Sequence, residues 1–431
     1  MSIPLDRLYH YIESVAQDVR GGNVLIYRFA PHGSKKLEDL SSLHVNLYNW
    51  TNCQLLPQIY CHDQEPLNYT HYQSNLSITD EEYFLKNTRT IPSNLRRDRF
   101  NVYDKCILLH SELNSQEVAV YQDNGFVPVY YWSHALIALD WFRYAQHQLQ
   151  TKKAKKRFLI YNRAWSGTRE YRLKFIDLLI KHNLITECQT SCNSIEPELQ
   201  IHYSQHQYID PQWKPEYCLE DYVNPTQATS CSSADFDLDD YNHTDFEIVL
   251  ETLFDDSRVH LTEKILRPIA CGQPFLILGT AGSLKYLQTY GFKTFGNIID
   301  ESYDVLTTAK DRMQSIINTM STISKWTSQE RTSNMIEINR IAKYNQQHFF
   351  SNNFADLVIG ELKQNLMQGL DTLEKTNTSN RFLSLRKKLS ANENCKKLLI
   401  QDSNLRSRQD IVQVLKQARI YYNRYLKTLN K

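Results

Sequence analysis

The chain has no apolar stretch approaching the run of about 18 residues that a membrane-spanning helix needs, so no membrane span is expected. Its start, MSIPLDRLYHYIESV, lacks a basic end followed by an apolar run, and no secretion signal is expected either. Nine cysteines are scattered through it without a CxxC pair. The nearest two, Cys188 and Cys192, have no matching second pair for zinc, so reduced thiols in a cytosolic protein are expected. No Walker P-loop and no GxGxxG appear, which argues against an ATPase and a nicotinamide dehydrogenase. The absence of a GxSxG elbow argues against an α/β-type hydrolase. No DxD motif of the kind that holds a diphosphate through a metal is evident. Asp237-Leu238-Asp239 and Asp255-Asp256 are imperfect substitutes that acidic loops explain. No metal is therefore expected.

What is present suits a multidomain globular protein. At 431 residues with 41% hydrophobic content, two domains plus an extension is the natural organisation. The net charge of +1 hides an asymmetry. Residues 381–431 hold 13 Lys/Arg against three Asp/Glu, and residues 1–380 hold 36 against 45. A basic tail on an acidic body points to a polyanionic partner, or equally to a solvated terminal helix. The 27 tyrosines are numerous enough to supply stacking surfaces, although most Tyr serves as half-buried packing.

Short apolar runs alternate with helical patterns. A helix is predicted over residues 4–20, and strands over Asn23–Phe29, Pro57–Cys61, 101–110 and Val127–Tyr131. After the charged break Lys152–Arg157, a strand begins at Arg157 and a helix runs from Arg169 to about His182. Residues 186–240 read as a short strand or two with long loops, and the α/β pattern resumes at Phe246. Residues 305–370 are helical, and 380–431 look like two or three helices carrying Tyr421, Tyr422 and Tyr425 among the basic residues. The alternation predicts parallel, doubly wound sheets in two facing Rossmann-like domains, 1–151 and 152–370, with a basic helical tail at 371–431.

Polar groups gather where the predicted strands end, which is where ligands bind in open α/β sheets. The strand Ile248–Leu250 runs into Glu251; a polar loop leads to Thr262-Glu263-Lys264, which opens an amphipathic helix; a second strand, Pro274–Leu278, is followed by the Gly-rich turn Gly279–Ser283. Backbone N–H groups, a hydroxyl and a cation at a helix N-terminus suit a diphosphate, and a strand-end carboxylate can accept hydrogen bonds from a sugar or ribose diol. Glu263 alone is also what a first-turn carboxylate favoured by the helix dipole looks like.

Asn162-Arg163-Ala-Trp165-Ser166-Gly-Thr-Arg169 places two cations around a Ser/Gly/Thr turn between a strand and a helix. Arg163 and Arg169 are candidates for bidentate phosphate contacts, and Arg172 reads as a surface residue. In the other half of the chain, His62-Asp63-Gln64-Glu65-Pro66 follows a strand. Glu65 or Asp63 there could serve as a general base, or as an N-cap and turn carboxylate. Trp132-Ser-His134 also sits just past a strand and could line a cleft on the acceptor side, His134 being as readily a structural histidine.

The run from Glu251 to Lys264, followed by Gly272-x-Pro274-Phe275, resembles the donor-site block of the α-1,3-fucosyltransferase family. Asn162-Arg163…Ser166…Arg169 looks like a second block of that family, and Asp63-Gln64-Glu65-Pro66 is similar to its base-bearing motif. The resemblance implies a GT-B-like fold and a nucleotide-sugar donor, UDP- or GDP-linked. It implies Arg169 and Lys264 on the diphosphate, Glu251 and Glu263 on sugar and ribose hydroxyls, and Glu65 as base. Arg163 stands where that family has Cys, and Thr252 where it has Asn. The whole chain also resembles glycosyltransferases of tailed bacteriophages, which carry similar DQEP and WSHA runs. That resemblance implies action in the host cytoplasm and, with the basic tail, favours a hydroxymethylated pyrimidine in DNA as acceptor. A polysaccharide or lipid-linked glycan is the alternative acceptor, and a non-catalytic sugar-nucleotide-binding protein the alternative function.

Overall fold

A computed structural model describes residues 6–20, 24–28, 57–62, 65–69, 105–145, 154–197, 199–222 and 236–376. Asp63 and Gln64 lie outside the described residues, as does nearly all of the expected tail, from 377 onward. Among the described residues the chain is an α/β protein with two four-stranded sheets, every pairing parallel.

The first sheet follows helix α1 (Asp6–Arg20) and comprises β1 (Leu25–Arg28), β2 (Gln58–Cys61), β3 (Cys106–His110) and β4 (Phe126–Tyr130). Helix α2 (Glu117–Asp123) joins β3 to β4, and α3 (Ser133–Trp141) follows β4. All five residues of β3 are buried, as expected for a strand covered on both faces. The strand order is β1-β2-β3-β4. Each strand therefore lies beside its sequence neighbour, and the doubly wound reversal predicted for this half is not found among the described residues.

The second sheet does reverse. It contains β5 (Lys156–Asn162), β6 (Cys188–Cys192), β7 (Thr244–Leu250) and β8 (Phe275–Leu278), in the order β6-β5-β7-β8. The chain leaves β5 through α4 (Tyr171–Lys181) to β6 on one side, then returns through α5 (Leu238–His243) to β7 on the other. The carboxyl ends of β5 and β7 thus flank a topological switch point, the crevice where such sheets bind ligands. All seven residues of β7 are buried. Helices α6 (Glu263–Ala270), α7 (Ser283–Thr289), α8 (Ala309–Ser324) and α9 (Ser328–Phe349) complete this lobe. Thr327 and Glu330 form a reciprocal capping box at the start of α9.

The last described helix, α10 (Asn352–Thr376), packs back on the first lobe, against β4, α1 and α3. Its buried stripe is Phe354, Val358, Leu362, Leu366, Gly369, Leu370 and Leu373, which repeats every three or four residues. Asn365 Nδ2 donates to Tyr130 O at 2.8 Å. Of the six described cysteines, five are buried. Among the described residues no helix is long and apolar enough to cross a membrane.

Candidate functional site

The crevice between β5 and β7 is built by the start of α4. Arg172 is buried, and its guanidinium donates to the carbonyls of Ala164 at 2.7 Å and of Leu250 and Glu251 at 2.9 Å. It clamps the loop after β5 to the end of β7, so the expectation of a surface arginine is corrected: three carbonyls need a multidentate donor. Tyr171 adds a bond from its hydroxyl to Glu251 O at 2.6 Å, and Thr168 Oγ1 donates to Thr252 O at 3.1 Å.

Arg169 lies one turn back and half-buried. Among the described residues its guanidinium has no hydrogen-bond or ion-pair partner, while Arg172 lies near enough to act on it as a like charge. Ser166, half-buried, precedes the 3-10 turn Gly167–Arg169 and makes no side-chain cap bond. Arg163 is half-buried in the same loop, with its carbonyl receiving Asn193 Nδ2 at 3.2 Å. Trp165 is fully buried and donates to Asn193 O at 2.7 Å, so it packs the loop and has no face free to stack on a base.

The opposite wall starts α6. Thr262 is its N-cap, accepting from Lys264 N at 3.4 Å. Glu251 is fully buried and accepts from Thr262 Oγ1 at 2.6 Å and from Thr262 N at 3.2 Å. Both of its oxygens serve the fold, tying strand end to helix start, and the expectation that they receive sugar or ribose hydroxyls is not met in this arrangement. Burial raises the Glu251 carboxyl above its ordinary range, against the pull of Lys264 and the Thr262 bonds. Glu263 behaves oppositely. Burial pushes it up, but Lys264 at 2.9 Å and His134 at 3.0 Å outweigh that and hold it well below the usual range. The Lys264 side chain is 20% exposed, and its ammonium donates to Glu263 Oε1 at 2.9 Å and to Thr262 Oγ1 at 3.2 Å.

The segment entering α6 also joins the lobes. Arg258 donates to Leu67 O at 2.7 Å and pairs with buried Glu112 at 3.3 Å. Val259 and Leu113 form an antiparallel bridge, with N–H···O distances of 2.9 and 3.0 Å. His260 Nδ1 lies 3.2 Å from Ser111 O, Leu261 O accepts from Trp132 Nε1 at 2.9 Å, and Glu263 meets His134. Five of the six residues 258–263 therefore touch the first lobe, and the sixth, Thr262, holds Glu251.

This geometry corrects two expectations. Trp132 is fully buried among Tyr286, Tyr290, Phe292 and Phe354, with Tyr290 at 4.6 Å between ring centroids, so it packs the lobe junction and does not line an acceptor cleft. His134 is sealed against Glu263 in the same way. Glu65 remains on the first-lobe side, half-buried and close enough to His260 to act on its proton affinity. Asp63 lies outside the described residues. Glu65 and Lys264, from the two sides of the junction, both lie near enough to His260 to act on its proton affinity. Sequence reading missed His260, since a single histidine in a polar loop gives no periodic or motif signal.

The Gly-rich turn carries less than its composition promised. Gly282 adopts a left-handed conformation (φ 85°), and the amides of Leu284 and Lys285 are taken by Asp304 at 2.8 and 3.2 Å. Those donors are satisfied by the protein itself. Comparison of the chain with protein-family models, with curated proteins and with solved structures gives no match.

Proposed function

We propose that the protein is a glycosyltransferase of GT-B-like organisation that moves a sugar from a UDP- or GDP-sugar to an acceptor hydroxyl. The observation that carries this reading is the switch-point crevice: Arg169, without a protein counter-ion among the described residues, lies in the turn after β5, and Lys264, partly exposed beside Glu263, lies at the start of the helix that follows β7. Two cations at such a crevice suit the diphosphate of a nucleotide sugar, and they would stabilise the departing nucleoside diphosphate without a metal. Arg163 and Ser166 are further donors at the same loop. In the proposed reaction the acceptor oxygen bonds to the anomeric carbon, the bond from that carbon to the phosphate oxygen breaks, and Glu65 takes the hydroxyl proton.

The favoured acceptor is a hydroxymethylated pyrimidine in DNA. The net +10 charge of residues 381–431 supports it, because neutralising phosphates is what gives nucleic-acid affinity. A base in duplex DNA would have to leave the stack to reach the site.

The test incubates the protein with UDP- and GDP-sugars, with and without DNA containing hydroxymethylcytosine or hydroxymethyluracil, and follows released nucleoside diphosphate and DNA mass. A gain of one sugar on the DNA, lost in Lys264→Ala, is the expected result. Donor hydrolysis without DNA gain would move the acceptor to a glycan. No turnover and no donor binding would sink the transferase.

A further inference from the structure

We propose that His260 recognises the transferred sugar, accepting a hydrogen bond from one of its hydroxyls at Nε2; this rests on the transferase reading above. His260 sits in the segment that joins the lobes, its ring edge-to-face with His134 at 5.1 Å between centroids. Nδ1 lies 3.2 Å from Ser111 O. A carbonyl only accepts, so Nδ1 carries the proton and Nε2 presents a lone pair.

That lone pair is the anomaly. Nε2 is buried and has no hydrogen-bond partner among the described residues, whereas buried polar atoms are ordinarily satisfied by protein, water or ligand. Burial first, then His134, push the imidazole down to about 3, so it remains a neutral acceptor throughout the physiological range. Glu65 and Lys264 also act on it, in opposite directions. In the proposed reaction Glu65 attends the attacking hydroxyl and Lys264 the leaving diphosphate. The sugar must lie between those two groups, and His260 is an acceptor near enough to both to feel their charges. A carboxylate would bind a hydroxyl too, but Glu251 and Glu263 are already committed to Thr262, Lys264 and His134.

The experiment uses the full chain and a panel of UDP- and GDP-hexoses with their monodeoxy forms. His260→Asn keeps a donor for Ser111 O and loses the acceptor at Nε2, and His260→Gln keeps an acceptor near that place. The expected result is a fall of about tenfold to a hundredfold in kcat/KM for the preferred donor in His260→Asn, with partial recovery in His260→Gln. One deoxy donor should be a poor substrate for the wild type and no worse than the full sugar for His260→Asn. Inhibition by free UDP or GDP should be unchanged, which separates sugar recognition from damage to the fold. An unaltered kcat/KM, or an unaltered penalty for every deoxy sugar, would overturn the assignment alone. Absence of turnover with every donor would overturn the transferase reading, and the assignment with it.

Discussion

His134 Nδ1 lies 3.0 Å from Glu263 Oε2, and the two residues belong to different lobes. Their side chains are 5% and 7% exposed, so water screens the contact little. The resemblance puts Glu263 on the donor, and the place of His134 past a strand suggests the acceptor side; they meet each other. His134→Ala should destabilise the protein by roughly 2–3 kcal/mol, at the low end for a broken buried pair because Lys264 still accompanies Glu263. Urea unfolding followed by fluorescence would read it, and an unchanged midpoint would show that the contact contributes nothing.

Arg169 and Arg172 lie one helical turn apart and should fail in different ways. Arg172 clamps three carbonyls. Its replacement by Ala takes a buried donor from all three, leaving Glu251 O to Tyr171 alone, and should cost several kcal/mol or prevent folding. Arg169 touches nothing of the kind among the described residues. Arg169→Ala should keep the wild-type Tm and weaken UDP or GDP binding about tenfold to a hundredfold, the worth of one charge-assisted hydrogen bond. Calorimetric titration beside a melting curve separates the two, and equal nucleotide affinity in Arg169→Ala would remove it from the site.

Local chemistry was legible and long-range partnership was not. The run Ile248–Leu250 reads as a strand and lies in one whose seven residues are all buried, and the helix expected to open at Thr262-Glu263-Lys264 does so, with Thr262 as its N-cap. Arg172 was misread because its partners are backbone carbonyls up to 79 positions away, which side-chain patterns do not record. Trp132 was misread for a related reason. A tryptophan after a strand end suits a cleft, but α10, some 220 residues later, supplies Glu361 to its backbone amide. Glu251 and Glu263 were found as a pair in one place, while their commitment to Thr262, His134 and Lys264 depends on how two lobes meet.

Two glycines of α10 offer a matched pair of tests. A Cβ on Gly369 would clash with Val129 Cγ2 on β4, whereas one on Gly360 would meet nothing within 4 Å. Gly369→Ala should therefore destabilise by about 1–3 kcal/mol through overpacking. Gly360→Ala, exposed on the same helix, should stabilise by about 0.5–1 kcal/mol through helix propensity. Opposite shifts in Tm are expected, and shifts of one sign would mean that α10 does not press on β4 as described.

Acid should weaken the fold through two buried histidines. Burial pushes His260 down to about 3 and His110 down to about 4, the latter with help from His62. Below about pH 6.5 the unfolded chain takes up protons at both positions while the folded one does not. Their contribution is therefore intact above that pH and is lost as pH falls towards the folded values. At pH 4.5 the loss amounts to roughly 2–3 kcal/mol per histidine. Glu112 and Glu251, raised by burial, work in the opposite direction, but they are common to wild type and variants and cancel in a comparison. The stability difference between wild type and His260→Asn, or wild type and His110→Asn, should thus shift in the variant's favour by that amount between pH 7.5 and 4.5. Parallel stability curves would show that the imidazoles gain their protons in the folded state as readily as in the unfolded one.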